Sequence, residues 1–347
     1  MSALTANGEA GRYPRSYYAS TVEFPPKRAP LSGDATCDVC VVGGGYTGLS
    51  TALHLAERGY AVIVVEANRV GWGASGRNGG QVGSGQRLEQ SALEEMFGID
   101  TARALWALGE AAKAKVQALL RAHGIAADYR AGIIHADHKA SYVAESHAEV
   151  ERLRTVYGYQ EIAPLTRQEI CERLATSGYH GGAIDRGAGH LNPLKFVLGL
   201  AAAAERAGAR IVEGSRAAAY TPASGGRKKL HLRNGDGTDA SVSADYIVLA
   251  GNGYLSGLAP RVEERFMPIN NFIVATAPLG AERAAALIAE EMAVADSRFV
   301  INYFRCSPDH RLLFGGGENY RLTFPRDVAR IARRPMLQIF PQLAHVD

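Results

Sequence analysis

Apolar and polar positions along the chain follow two different periods, and their alternation predicts a mixed α/β fold. A short apolar run, Val39 to Val42, gives way abruptly to glycines and then to a helical pattern that closes at Gly59. A second apolar run, Ala61 to Val65, follows and ends on Glu66. This order of strand, tight turn, helix and strand predicts a βαβ unit with parallel strands between 36 and 67.

The rest of the chain alternates between helical and extended patterns. Apolar spacings of three and four predict helices at 88–123 (with Gly124 as C-cap), 141–157, 165–175 (with a Thr166/Glu169 capping box), 194–207 (entered at Pro193) and 281–292. Short apolar or alternating runs predict strands at 133–136, 209–213, 217–220, 230–232, 240–243, 245–250, 271–276, 299–304 and 312–315. The segment 181–193 predicts a loop or edge strand, and 1–35 an extended, mostly irregular surface arm.

The turn after the first strand contains glycines spaced G-x-G-x-x-G. Gly43 permits a sharp turn, Gly45 leaves room for a pyrophosphate at the helix N-terminus, and Gly48 allows close packing of helix on strand. Glu66, at the end of the second strand, is placed to accept hydrogen bonds from ribose hydroxyls. The complete unit predicts binding of an adenine dinucleotide, and an acid at this position disfavours NADP.

A second glycine-rich segment follows, with seven glycines between Gly71 and Gly85. Its composition is compatible with a linker. It comes directly after the second strand, however, where ligands bind in parallel sheets, and bare backbone can approach a flat ring system. We therefore favour cofactor contact here, with Arg77 facing phosphate or substrate.

Composition and charge narrow the class of protein. The 347 residues allow two domains or one large one, and 47% hydrophobic with 21% charged residues is typical of a globular protein with a real core. The net charge of +3 and scattered basic residues argue against nucleic-acid binding. A basic cluster on a predicted short helix is interpreted as a solvated face: Arg326, Arg330, Arg333 and Arg334.

The cysteines and the chain ends suggest neither a metal site nor a membrane protein. Cys37 and Cys40 form C-x-x-C, but positions three apart in a strand point to opposite faces, and no second pair completes a zinc site. The N-terminus lacks the apolar core of a signal peptide, and no apolar run is long enough to span a membrane. We therefore expect no metal and a cytoplasmic location.

Taken together with the strand and glycine turn at DYIVLAGNGY, these segments resemble the FAD-dependent oxidase family that includes glycine oxidase, sarcosine oxidase and D-amino-acid oxidase. The resemblance covers roughly 17 to 347. Within this family, SGRNGGQV and the Tyr17-Tyr18 arm look most like γ-glutamylputrescine oxidase. Such enzymes oxidise a C–N bond to an imine by hydride transfer to flavin N5, and oxygen accepts the electrons as peroxide.

The resemblance implies a Rossmann-like FAD-binding domain of the glutathione-reductase type and a second, antiparallel-sheet-plus-helix substrate domain. The division expected is 36–90 with 191–258 for FAD and 91–190 with 259–347 for the substrate. The residues it assigns to FAD are Gly43, Gly45, Tyr46, Thr47, Gly48, Glu66, Ala67, Ser75, Gly76, Arg77, Asn78, Gly79, Gly80, Ala217, Ala218, Ala250, Gly251 and Gly253.

Two departures from the family pattern qualify these expectations. Family members continue beyond the segment that resembles 340–347, so we expect this chain to lack a C-terminal piece of the flavin site. Relatives that bind flavin covalently use His or Cys, and 67–90 contains neither, which favours non-covalent FAD.

The expected substrate is a small amine, with O2 or another electron acceptor completing the reaction. The amine must react as the free base, although alkylamines titrate near 10, so the site must desolvate it or accept its proton. No acid–base pair is required. The catalytic residue is left open, with His190, Tyr303 and Arg305 as candidates; Tyr303 and Arg305 share a face of a predicted strand, and Arg305 could pair with a carboxylate.

Three alternatives stay open at this point. The chain could be a dehydrogenase of D-amino acids or other amines that reduces a quinone, or a truncated, non-catalytic flavin-binding fragment. An NAD-dependent dehydrogenase is the third, although GASGRNGGQV and the second glycine turn at 251–253 argue against it.

Overall fold

The computed structural model of the chain describes residues 4, 7, 8, 10–222, 226–321 and 323–346. Strands, in chain order, are β1 (Gly33–Val42), β2 (Val62–Val65), β3 (Gln81–Val82), β4 (Arg130–Ala136), β5 (Ile162–Leu165), β6 (Gly182–His190), β7 (Arg210–Val212), β8 (Ser215–Pro222), β9 (Lys228–Asn234), β10 (Asp239–Leu249), β11 (Asn270–Ala275), β12 (Ala293–Asp296), β13 (Tyr303–Cys306) and β14 (Leu312–Asn319). Helices are α1 (Tyr17–Ser20), α2 (Tyr46–Ala56), α3 (Gln90–Phe97), α4 (Ile99–Ala122), α5 (Val143–Thr155), α6 (Arg167–Arg173), α7 (Pro193–Arg206), α8 (Pro260–Glu263), α9 (Ala281–Leu287) and α10 (Val328–Ile339).

The first sheet has the strand order β7-β2-β1-β10-β9-β8. β7, β2, β1 and β10 are parallel, β9 pairs antiparallel with β10, and β8 pairs antiparallel with β9. One face packs against α2 and α7 through Leu49, Leu53 and Leu200, which are all buried. The strand that ends at the second glycine turn lies directly beside the first strand, since Val42 pairs with Leu249.

The second sheet has the order β11-β14-β13-β12-β4-β6-β3, with β5 also paired to β6. It is largely antiparallel, as expected, but β12 and β4 run parallel. One face carries a core of large apolar side chains that includes Phe304, Phe314 and Phe340. The α/β prediction is thus confirmed, with a mixed rather than purely antiparallel second sheet.

The capping residues and the proline in the sequence predicted the starts of two helices correctly. α6 begins at the predicted capping box, in which the Thr166 hydroxyl accepts from the Glu169 N–H and the Glu169 carboxylate accepts in return. α7 begins at Pro193, and Asn192 caps it by accepting from the N–H groups of Leu194 and Lys195. None of the helices in the described ranges is both long and apolar enough to cross a membrane.

Other predictions of elements were wrong for identifiable reasons. The segment 88–123 forms two helices, because Gly98 adopts a φ of +79° between them. The segment 181–193 is neither a loop nor an edge strand: β6 pairs with β4 on one side and with β3 and β5 on the other. The arm at 1–35 contains α1, whose Tyr18 is only 4% exposed and packs in the core.

Two strand boundaries also differ from the prediction. The runs at 240–243 and 245–250 are one strand, β10, because Asp245 does not interrupt the ladder that this strand forms with β1. The strand expected at 299–304 is β13, which starts only at Tyr303. The preceding Asn302 instead donates its N–H to the Asp296 carboxylate at 3.0 Å, which closes the connection from β12.

Cys37 and Cys40 lie on the same side of β1, contrary to the expectation from strict alternation. The N–H groups of both Asp38 and Val39 donate to the carbonyl oxygen of Ala61, at 2.9 and 3.2 Å. This local irregularity shifts the alternation by one residue, so both thiols enter the same buried layer.

Candidate functional site

The glycine turn after β1 meets the end of β10 at very close range. Gly43 has a φ of +112°, and a Cβ atom there would lie 2.5 Å from the carbonyl oxygen of Ala250. The Ala250 N–H donates to the Val42 carbonyl at 2.8 Å, so the two strand ends are joined directly. Backbone rather than side chain therefore forms this edge of the sheet.

The helix that follows is fitted to the turn by glycine. A Cβ on Gly48 would lie 2.0 Å from the carbonyl oxygen of Gly43, so α2 can approach the turn only with glycine at this position. Gly45 is the N-cap of α2 and has no capping side chain; the hydroxyl of Ser75 accepts from the Tyr46 N–H instead, at 3.1 Å. The helix N-terminus therefore faces open, polar surroundings suited to an anion.

The carboxylate of Glu66 is fixed at the end of β2 by two backbone groups. Its oxygens accept from the N–H of Gly44 at 2.7 Å and from the N–H of Asn68 at 2.8 Å. Burial raises the pKa of Glu66, while these two hydrogen bonds act in the opposite direction. The side chain is thereby held in one orientation beside the glycine turn.

These features border one groove, which we call the dinucleotide groove. Of the residues that the sequence assigned to the cofactor, those lining it are Gly43, Gly45, Glu66, Ala67, Ser75, Ala217, Ala250 and Gly251. Asn252, in the turn expected near the cofactor, also lines it, as do residues without a predicted role: Leu4, Trp72, Arg216, Tyr254, Leu255 and Leu258. Trp72 and Asn252 lie within the two glycine-rich segments, and this position was the only feature of the sequence that indicated a place in the groove.

Several of the assigned residues do not line the groove. Tyr46 donates its hydroxyl to the carbonyl of Pro193 at 3.1 Å, and Thr47 is exposed on α2. Ala218 is exposed at an irregularity in the pairing of β8 with β9. Gly76 lies against the carbonyl of Gly71, where a Cβ would approach to 2.1 Å. These positions shape the surroundings of the groove.

Arg77 and Gly253 line a neighbouring cavity. The Arg77 guanidinium lies 5.0 Å from the ring centre of Trp72 and donates to the Trp72 carbonyl at 3.0 Å. Trp72 in turn meets Tyr254 edge-on, with ring centres 5.6 Å apart. This stack forms the wall between the two cavities.

The glycine-rich segment runs from the groove to the second sheet. Asn78 braces it, accepting from the Gly80 N–H at 2.8 Å and donating to the carbonyls of Ala74 and Ser75. Gly80 has a φ of +73°, and a Cβ there would lie 2.0 Å from the Leu191 carbonyl oxygen. Side chains are thus excluded where the segment crosses between the sheets.

Tyr303 and Arg305 share one face of β13, as predicted, and border a narrow cavity. A Cβ on Gly79 would lie 2.7 Å from the Tyr303 ring, so the two are in direct contact. The Tyr303 hydroxyl donates to Asn271 Oδ1 at 2.7 Å, and burial raises the pKa of Tyr303. The lining of this narrow cavity is Tyr18, Gly79, Gln81, Ile273, Tyr303, Phe304, Arg305, Leu313 and Gly315.

The guanidinium of Arg305 is only 4% exposed and is bound to protein oxygens. It donates to the carbonyls of Gly79 and Leu191 at 3.3 and 3.1 Å, and to the Tyr18 hydroxyl at 3.4 Å. Within the described ranges, no carboxylate forms an ion pair with it. A substrate carboxylate at Arg305, which the sequence suggested, would have to replace some of these bonds.

His190 is buried at the end of β6, with 1% of its surface exposed. Its Nε2 lies 2.7 Å from the carbonyl oxygen of Glu291, and its Nδ1 has no hydrogen-bond partner among the described residues. Burial, reinforced by the nearby positive charge of Arg305, lowers the pKa of His190 to about 4. The ring is therefore neutral at pH 7.

The dinucleotide groove fits the cofactor that its sequence pattern implies. It combines bare backbone at Gly43, a helix N-terminus without a capping side chain at Gly45, and a fixed carboxylate at Glu66, which are the groups that pyrophosphate and ribose require. Among the residues that the structure describes, no three His, Cys, Asp or Glu side chains are arranged to hold a metal ion.

Known proteins resemble the chain along most of its length. Probable oxidoreductase OrdL of Rhizobium meliloti is 39% identical over 336 residues, covering 96% of this chain and 76% of that protein. Gamma-glutamylputrescine oxidoreductase of Escherichia coli is 36% identical over 338 residues, covering 95% and 76%. The crystal structure of glycine oxidase from Geobacillus kaustophilus shares the fold, with a TM-score of 0.67 at 20% identity, covering 90% of this chain and 80% of that one.

The protein family described as DAO, FAD dependent oxidoreductase, matches residues 38–347. The match contains both glycine segments and both sheets. The chain therefore belongs to the DAO family and is an FAD-dependent oxidoreductase.

Proposed function

We propose that the protein oxidises a C–N bond of a γ-glutamylputrescine-like amine to an imine and passes the electrons to O2, which leaves as H2O2. The observation that carries this proposal is the 36% identity with gamma-glutamylputrescine oxidoreductase over 95% of the chain. Identity of this extent reaches the substrate side of the molecule as well as the cofactor side. It therefore supports an amine substrate more strongly than the family assignment alone.

The residues of the groove would hold FAD without a covalent bond. The backbone of Gly43 to Gly45, with the Ser75 hydroxyl, would bind the pyrophosphate, Glu66 the adenosine ribose, and Ala217 the adenine through its backbone. Gly79 and Gly80 would run beside the flavin, since the segment leads from the groove to the narrow cavity. The absence of His and Cys from 67–90 supports non-covalent binding.

Bound FAD supplies the acceptor for the hydride of the substrate carbon. The chain's own contribution would be made at the narrow cavity, where Ile273 and Leu313 provide apolar walls. An ammonium ion loses hydration there, which favours the neutral amine that can react. Burial also raises the pKa of Tyr18 and of Tyr303, so both phenols are uncharged at pH 7 and available as hydrogen-bond partners.

Arg305 would act as a positioning residue in this arrangement. Its bonds to the carbonyls of Gly79 and Leu191 tie the glycine-rich segment to β13. Because Gly79 contacts Tyr303, this tie sets the width of the narrow cavity. On this proposal, 36–90 with 191–258 form the FAD-binding domain, and 91–190 with 259–347 form the substrate domain.

The test is an absorption spectrum of the purified protein, followed by anaerobic addition of amines. We expect flavin absorbance that is bleached by γ-glutamylputrescine and not by glycine or sarcosine, and peroxide release when air is admitted. Bleaching by none of the amines would overturn the proposal.

Bleaching without peroxide would instead indicate a dehydrogenase that reduces a quinone, and a colourless protein would indicate a chain that does not retain FAD.

A further inference from the structure

A second, larger cavity lies on the same face of the second sheet as Tyr303. Residues paired directly across neighbouring strands point to one face. Tyr303 pairs with Ala295, Ala295 with His135, and His135 with Ala183, and the last three all line this cavity. Since neighbouring strands are separated by about 4.8 Å, the part of the cavity at His135, two strands away, lies about 10 Å from Tyr303.

Carboxylates dominate the walls of this cavity, which we call the acidic cavity. Its acidic residues are Glu89, Asp137, Glu145, Glu149, Asp185 and Asp296, and its only arginines among the described residues are Arg87 and Arg298. Negative charge is thus in clear excess inside a concave, partly desolvated space. Such a site attracts cations.

Two of the carboxylates are already bound to internal partners. Asp296 forms an ion pair with Arg298 and accepts from the side-chain amide of Asn302 at 2.9 Å. Asp185 accepts from the Tyr159 hydroxyl at 2.5 Å and from the N–H groups of Gly187 and Ala188. The carboxylates of Asp185 and Asp296, the two acids on the strands, thus have hydrogen-bond partners within the chain.

Asp137 is different, because it is buried without full compensation. Its side chain is more than nine-tenths buried, with 6% of the residue exposed, and its Oδ2 has no hydrogen-bond partner among the described residues. Burial raises the pKa of Asp137, although a hydrogen bond with Ser146 opposes this. Asp137 lines the acidic cavity, so a cation bound there would offset the cost of burying its carboxylate.

The neighbouring acids strengthen this requirement. Burial raises the pKa of Glu89, and the negative charges of Glu149, Glu145 and Asp137 raise it further. Glu149 is partly satisfied, since it accepts from the Gln90 N–H at 2.6 Å, at the start of α3. A cation placed among these four carboxylates would relieve their mutual repulsion.

We propose that the acidic cavity binds a second ammonium group of the substrate, with Asp137 accepting a hydrogen bond from it. This inference rests on the proposed function for the position of the oxidised carbon at the narrow cavity. The substrate class is then an amine whose second ammonium lies about 10 Å from the reacting carbon. In γ-glutamylputrescine, nine bonds separate the putrescine carbon from the α-ammonium, an extended length of about 11 Å.

The test compares two substrates that differ only in this group. Glutarylputrescine retains the length and the carboxylate of γ-glutamylputrescine but carries hydrogen in place of the α-ammonium. We expect wild-type KM for glutarylputrescine to be about tenfold higher at similar kcat, since a charge-assisted hydrogen bond is lost. Asp137→Asn should reduce the difference in KM to within about twofold. Glu151→Gln, exposed on α5 outside the cavity, is the matched control and should keep the difference.

Each result decides between the proposals. Equal KM values for the two compounds in the wild type, or an unchanged difference in Asp137→Asn, would overturn the acidic-cavity proposal and leave the proposed function standing.

If neither compound is oxidised, the proposed function fails, and calorimetric titration of the holoenzyme with 1,4-diaminobutane tests the cavity alone. Binding about tenfold weaker in Asp137→Asn then supports it, and equal binding overturns it. If Asp137→Asn lacks a melting transition, the double variant Glu89→Gln/Glu145→Gln replaces it in both assays, with the same criteria.

Discussion

Gly43 and Ala250, far apart in the sequence, meet so closely that a Cβ on the glycine would lie 2.5 Å from the alanine carbonyl oxygen. The contact involves two backbones, so no rotation of a side chain can relieve it. Residue 43 also has a φ of +112°, which L side chains rarely adopt. A side chain at residue 43 would therefore cause both backbone strain and a collision with Ala250.

We predict that Gly43→Ala abolishes FAD binding and destabilises the protein by about 3 kcal/mol or more, since a forced backbone shift adds to the strain. FAD content after purification and the melting temperature are the measurements. Gly59→Ala is the matched control in the same βαβ unit: its φ is +85°, but nothing lies within 4 Å of the added Cβ. It should cost about 1 kcal/mol and retain FAD. Equal effects of the two changes would contradict the importance of the contact.

Glu66→Gln should weaken FAD binding at least tenfold. The carboxylate accepts from two backbone N–H groups, and an amide would turn its own NH2 towards one of them, leaving that donor unpaired. Titration of the apoprotein with FAD, followed by quenching of flavin fluorescence, measures the change. Glu57→Gln, at a half-exposed position whose contact with His123 spans 3.7 Å, should bind FAD as the wild type does. Unchanged affinity in Glu66→Gln would argue against this carboxylate as the ribose ligand.

His190 should make the protein less stable as the pH falls. In the unfolded chain its imidazole takes up a proton near pH 6.5, but in the folded protein only near pH 4. The unfolded state therefore binds more protons between these values, and the free energy of unfolding decreases by about 2 kcal/mol from pH 7 to pH 5. Urea denaturation at both pH values should show this loss in the wild type and in the exposed-site control His345→Asn. His190→Asn should lack most of it, and a full loss there would assign the effect to other groups.

Flavin should leave the protein completely on acid precipitation. The proposed ring-contacting segment, 67–90, contains no His or Cys, and Cys37 and Cys40 are buried in β1. Centrifugation after precipitation separates the two outcomes: a fluorescent supernatant is expected, whereas a yellow pellet would require a covalent bond. Apoprotein prepared in this way also serves the FAD titrations.

The parts of the fold that local sequence determines were predicted well. The turn at Gly43 and the capping box at Thr166 each depend on a few neighbouring residues, and both are found where expected. Errors arose where distant partners decide the outcome. The irregularity that brings Cys37 to the side of Cys40 is caused by the carbonyl of Ala61, and no pattern within β1 records that partner.

The candidate site divides in the same way. The glycines and Glu66 could be identified because their spacing reflects the chemistry of the ligand. Arg216 and Leu258 reach the dinucleotide groove only through tertiary packing, so their local sequence carried no signal. The carboxylates of the acidic cavity come from α3, α5 and three strands or their ends, and only the fold brings them together.

The joint between β1 and β10 also fixes when, during synthesis, the protein can first acquire its cofactor. One wall of the groove is made before residue 80, but the rest of the lining includes residues 250–258, which leave the ribosome much later. A nascent chain that ends at β9 has its fingerprint turn and no opposite wall. The complete groove for the cofactor therefore forms late in synthesis, and only after β1 and β10 have paired in the first sheet.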